Sequence, residues 1–128
     1  MATAYLTRIV EFTATHRLPG EGKAAADHSH RYQCRITVKG PLHAEAGGVT
    51  SLPQLDALMA REITARLDGR NINNDVPEFA DGRRKATGEA LAVYLWDRVA
   101  AGLPAGVRLH AVRVQEGPHL YSEYFGEA

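Results

Sequence analysis

Only one cysteine, Cys34, is available in the chain, so an internal disulfide is excluded and a reducing compartment is implied. Neither charge is in excess, with Lys plus Arg and Asp plus Glu at 15 each, so no broadly basic surface for nucleic acid is implied. Long apolar runs are missing, and nothing approaches the roughly 20 residues that a membrane-spanning helix needs. The first residues, MATAYLTRIVEF, lack the basic start and apolar core of a secretory signal. Internal repeats and low-complexity tracts are missing too. These absences predict a cytoplasmic protein with neither a nucleic-acid nor a membrane partner.

What remains is an ordinary globular composition, 45% hydrophobic and 23% charged over 128 residues, expected to fold as a single domain, 1–128. From Ala4 to His16, Tyr5, Thr7, Ile9, Glu11 and Thr13 alternate with Leu6, Arg8, Val10 and Phe12, the period of a strand. RYQCRITVKGP repeats the pattern, with Tyr32, Cys34, Ile36 and Val38 on one face before Gly40 and Pro41 interrupt it. Ser51 can cap a helix running to about Leu67, striped by Leu52, Leu55, Met59, Ile63 and Leu67. The stretch from Asp68 to Arg84, rich in Asn, Asp, Gly and Pro, reads as a loop. Thr87 can cap a second helix that turns Leu91, Tyr94, Leu95 and Val99 inward. VRLHAVRVQE and HLYSEYF complete the chain as strands. The order β-β-α-α-β-β predicts an α+β domain, a four-stranded antiparallel sheet with two helices on one face.

Half of the six histidines fall between His16 and His30. Residues two apart on a strand share a face, about 6–7 Å apart, so His28 and His30 can converge on one ion. His16 ends one expected strand where the other two begin the next, and a hairpin would bring all three rings to one end of the sheet. Three imidazoles with an open position suit a catalytic zinc ion. The plainer alternative is a solvated HSH turn.

The segments FTATHRLP and HSHRY resemble the zinc-binding stretch of the 6-pyruvoyl-tetrahydropterin synthase and 6-carboxytetrahydropterin synthase family, F-x-A-x-H followed by H-G-H-x-Y. LDGRNINNDVPEFADG, ATGEALAVYLW and VQEGPHLYSEYFGE are similar to three further segments of that family, in order. The resemblance implies the T-fold, a homo-hexamer built as a dimer of trimers, and active sites between subunits. It also implies zinc ligation by His16, His28 and His30. Glu116 matches the glutamate that anchors the pterin's 2-amino-pyrimidinone edge, and Thr87 matches the threonine beside it. Taken as isolated residues, Glu116 is a strand-end charge and Thr87 an N-cap.

Two family residues are missing. The cysteine base expected four to six residues before the first His of the pair has no counterpart in GKAAAD, and Cys34 reads as a buried structural thiol. The family's Asp-His pair is reduced to Asp68 followed by Gly69. General base and general acid each supply roughly 10²–10⁴-fold in rate, so loss of both predicts that the usual carbon–oxygen lyase chemistry is lost or altered. Glu21 is a candidate surrogate base and His119 a candidate surrogate acid, each otherwise a surface residue, as His43 and His110 are expected to be. The chain is thus expected to bind a pterin-like molecule, dihydroneopterin triphosphate or a relative. The alternative is an active carbon–oxygen or carbon–carbon lyase working on a pterin side chain with a substitute base.

Overall fold

The computed structural model describes residues 2–127. Two long strands, β1 (Thr3–His16) and β2 (His28–Pro41), pair antiparallel along their whole length, from Thr3 opposite Pro41 to His16 opposite His28. β3 (Arg108–Gly117) adds to β2, and β4 (Leu120–Tyr124) adds to β3, giving the sheet order β1-β2-β3-β4. Alternation decides which face is buried. Phe12 and Ala14 of β1, Tyr32, Cys34, Ile36 and Val38 of β2, and Val112 and Val114 of β3 all point into one core.

The helices cover that face. Helix α1 spans 52–67, with a π-helical segment, Ala60–Thr64, between α-helical Leu52–Met59 and Ala65–Leu67. Its N-terminus is capped by Ser51, whose hydroxyl accepts from the Gln54 amide at 3.4 Å. Leu55, Met59, Ile63 and Leu67 are buried as expected, but Leu52 is 45% exposed and Leu58 takes a core position instead. Leu52 is the first residue of the helix. There it lines an open groove with Leu42 and Val49, at the end of the sheet away from the histidines.

The expected loop from Asp68 to Arg84 is more ordered than its composition suggests. It contains a short helix α2 (Ile72–Asp75) and a 3₁₀ turn (Ala80–Gly82), and it buries Ile72, Val76 and Phe79. Those three recur at helical spacing, and their burial outweighs the turn-forming residues between them. Helix α3 (Gly88–Ala100) follows, and Leu91, Tyr94, Leu95 and Val99 face the core. Among the described residues no helix lies on the other face of the sheet, and Tyr5, Ile9 and Tyr121 are exposed there. No helix among the described residues is long and apolar enough to cross a membrane.

Candidate metal centre and adjoining carboxylate

The β1–β2 register carries the site. Because His16 pairs with His28 and both lie on the core-facing parity, the hairpin end brings His16, His28 and His30 together. One ring nitrogen from each lies within 4.8 Å of the others, and ring centroids are 4.5–5.0 Å apart.

Two backbone carbonyls orient the rings. His16 donates from Nδ1 to the carbonyl of Ala86 at 2.7 Å, and His28 donates from Nδ1 to the carbonyl of Ala26 at 2.9 Å. A ring whose Nδ1–H is so engaged presents Nε2 as a lone pair, the form that a metal requires. His16 Nε2 is buried with no hydrogen-bond partner among the described residues. Burial, chiefly, and the neighbouring imidazoles hold His16 below the ordinary histidine range, against the opposing effect of the Ala86 carbonyl. His30 is lowered by the same two causes. Convergent imidazoles with an orphaned buried nitrogen among them fit a metal ion.

Glu116, from β3, adjoins them. It is only 9% exposed, and its Oε1 lies 3.7 Å from His16 Nε2 and 4.0 Å from His30 Nε2. Burial, and secondly the charge of Glu89, raise its carboxyl above the usual range, while His28 acts in the opposite sense. Its Oε2 lies against Gly88, the first residue of α3, where an added Cβ would sit 2.8 Å from that oxygen. Thr87 is the N-cap of α3, its Oγ1 accepting from the Ala90 amide at 3.1 Å. Glu116 and Thr87 are therefore brought to the same place.

Tyr32 was legible only as a core residue of β2. Its hydroxyl is buried without a hydrogen-bond partner among the described residues, and burial followed by the charge of Glu116 raises its pKa. Its motif position, two residues beyond His30 on the same face, is the signal that could have placed it here.

The remaining candidates are more dispersed. Asp68 Oδ1 accepts from the Thr13 amide at 2.9 Å, holding the segment after α1 against the β1 edge. Gly69 continues that contact, donating its amide to the Thr13 carbonyl at 2.7 Å. Glu21 is exposed and paired with Lys85 at 3.1 Å, one residue before the Ala86 carbonyl that orients His16. His119 does not open β4, because Gly117 pairs directly with Leu120, and it stands exposed in the turn between them. His43 is exposed, whereas His110 is half-buried, its ring packed edge-on against Tyr5. Cys34 is fully buried, and burial pushes its thiol up to about 12.

Comparison with known proteins places these features in context. The family described as 6-pyruvoyl tetrahydropterin synthase matches residues 5–127. The 6-pyruvoyl tetrahydrobiopterin synthase of Poecilia reticulata is 34% identical over 136 residues, covering 96% of this chain and 90% of that protein. The structure of Caenorhabditis elegans 6-pyruvoyl tetrahydropterin synthase superposes with a TM-score of 0.89 at 25% identity, over 99% of this chain and 98% of that one. A Plasmodium vivax 6-pyruvoyltetrahydropterin synthase, in a variant whose catalytic glutamate is replaced by alanine, shares the fold with a TM-score of 0.73 at 14% identity. That match covers 97% of this chain and 98% of the other.

Proposed function

The chain belongs to the 6-pyruvoyl tetrahydropterin synthase family, and from that membership we propose that it binds a pterin such as dihydroneopterin triphosphate beside a zinc ion held by His16, His28 and His30, with the family's standard reaction lost or altered. The observation that carries this reading is the buried carboxylate of Glu116 within 4.0 Å of two of the three imidazoles. An ionised carboxylate accepts two parallel N–H bonds from a 2-amino-pyrimidinone edge, a charge-assisted pairing that rejects rings lacking that pattern. Ligand binding here favours the ionised form of a group that burial otherwise pushes toward protonation. Thr87, the N-cap of α3, stands next to Gly88, which packs against Glu116, and so adds a polar group beside the carboxylate. When bound, zinc would supply Lewis-acid polarisation of a side-chain oxygen.

What the site lacks argues against the standard reaction. The Cys34 thiol is sealed in the core and protonated at neutral pH, and Gly69 has no side chain to donate a proton. Asp68 is left bonding the backbone of Thr13.

One observation favours the alternative of an active lyase. The Glu21–Lys85 pair holds a loop carboxylate over the segment that orients His16, and the Plasmodium vivax relative has a catalytic glutamate. To act as a base, Glu21 would have to leave Lys85 and reach the substrate.

The test is ligand affinity. Titration with 7,8-dihydroneopterin triphosphate should give saturable binding that Glu116→Gln weakens by about tenfold or more, since the amide NH2 would face one of the two pyrimidinone N–H donors and leave it unpaired. Glu21→Gln should leave that affinity unchanged, and equal binding by the wild type and Glu116→Gln would contradict the reading.

A further inference from the structure

We propose that the open face of the sheet carries an anion seat between Arg35 and Arg113, built for a phosphate-class oxyanion and separate from the histidine centre.

Charge placement carries the inference. Cations and anions are equal in the chain, 15 of each, yet the open face does not balance. The β2–β3 register sets Arg35 directly opposite Arg113 and Lys39 directly opposite Arg108. Like charges opposed across strands destabilise a sheet, and two such pairs stand on this one face. Its acids, Glu11 and Glu123, are already engaged, with Arg31 at 3.3 Å and Arg113 at 3.2 Å. Among the described residues Arg35, Lys39 and Arg108 form no ion pair. A bound anion would relieve the repulsion that the register imposes.

The surroundings of Arg35 and Arg113 suit such an ion. A depression of about 200 Å³ lies between them, lined also by Thr7, Thr37, Ala111 and Glu123. Arg113 is held on two sides. Its guanidinium carbon stands 4.0 Å from the centre of the Tyr121 ring, and its Nε and Nη2 donate to Glu123 Oε2. Arg35 donates from Nε to Gln33 Oε1 at 3.3 Å, and its two terminal nitrogens have no partner among the described residues. The hydroxyls of Thr7 and Thr37 are hydrogen-bonded to each other at 2.7 Å. One hydroxyl hydrogen makes that bond, so the pair keeps the other to donate. Free guanidinium N–H groups and a hydroxyl donor around one space match the oxygens of a phosphate, which arginine binds through paired N–H bonds. Glu123 opposes the anion, but it also fixes Arg113, and two guanidiniums against one carboxylate leave the seat positive. Lys39 lies two residues beyond Thr37 on the same face, about 6–7 Å away. With Arg108 opposite, it can take a second, linked phosphate. Pairing of the sheet edges with other copies extends the sheet in its own plane and leaves this face uncovered.

The experiment titrates inorganic phosphate and tripolyphosphate into the full chain by calorimetry, at low and at raised ionic strength. Saturable binding is expected, tighter for tripolyphosphate and weakened by salt. Arg35→Gln should weaken tripolyphosphate binding by about tenfold or more. It should melt no lower than the wild type, because it removes a like charge from opposite Arg113, so its lost affinity cannot be ascribed to unfolding. Arg84→Gln removes an exposed cation elsewhere and should leave the binding intact. Binding should also persist in His28→Ala. A wild type that does not bind tripolyphosphate, or an Arg35→Gln variant that binds it equally well, would overturn the proposal. Equal weakening by Arg35→Gln and Arg84→Gln would overturn it too, by showing diffuse attraction in place of a seat. Loss of binding in His28→Ala alone would place the anion at the histidines instead.

Discussion

At Gly69 the backbone has a φ of +73°, and a Cβ built there meets nothing within 4 Å. A side chain therefore has room, at a cost of roughly 1 kcal/mol or more for the left-handed conformation. Ala24 is half-buried in the turn before β2, its carbonyl accepting from the Leu18 amide at 2.7 Å. Ala24→Cys combined with Gly69→His should restore a detectable trace of 6-pyruvoyl product from 7,8-dihydroneopterin triphosphate, measured chromatographically. Neither single variant should do so, and a double variant as inert as the wild type would mean that the scaffold no longer presents the substrate. At this scale the three histidines were legible because strand periodicity places residues two apart on one face. The Ala86 and Ala26 carbonyls were not, since every residue has a carbonyl and only the fold selects the one that orients a ring. Tyr32 was hidden for a related reason, as an alternating apolar pattern does not reveal that one hydroxyl ends beside a buried carboxylate.

Helix α3 links the hydrophobic core to the site. Leu91, Tyr94, Leu95 and Val99 anchor it, and that anchoring presses Gly88 against Glu116 Oε2 and Ser122 Oγ, each 2.8 Å from where a Cβ would stand. Gly88→Ala should cost about 1–3 kcal/mol through overpacking, only partly offset by alanine's better helix propensity of roughly 1 kcal/mol. Its larger effect should be on function, because Glu116 must turn aside. Calorimetric titration should find pterin affinity lowered by about tenfold or more, and wild-type affinity in this variant would show that the contact does not set the carboxylate's position. Both long helices and all four strands were readable from period and caps, with Ser51 and Thr87 capping as expected. The segment after α1 was misread because its Asn, Gly and Pro content was weighed above the spacing of Ile72, Val76 and Phe79. Leu52 was misplaced because periodicity shows which way a side chain points, but not whether anything packs over it; it lines an open groove instead.

For the whole molecule, the sheet has two unequal edges. β4 is five residues long, whereas β1 runs for 14 and, among the described residues, its outer edge is met only from Thr13 onward, by Asp68, Gly69, Arg70 and Asn71. Together with exposed Tyr5, Ile9 and Tyr121 on the open face, such edges invite pairing with another copy. Closure of three sheets into a barrel, two such trimers stacking, would satisfy them. Sedimentation velocity at micromolar concentration should therefore give a hexamer, and a stable monomer would remove the basis for a site shared between subunits. We propose that the chain keeps the pterin and metal groups that the resemblance implies but not the proton-transfer groups of the standard reaction. The most direct test is to incubate the zinc-loaded wild type with 7,8-dihydroneopterin triphosphate under conditions where binding is saturated, and to quantify products by liquid chromatography. Bound, recoverable substrate is expected, with no 6-pyruvoyl or 6-carboxy product above the protein-free control. Sustained multiple turnover to either product would contradict it.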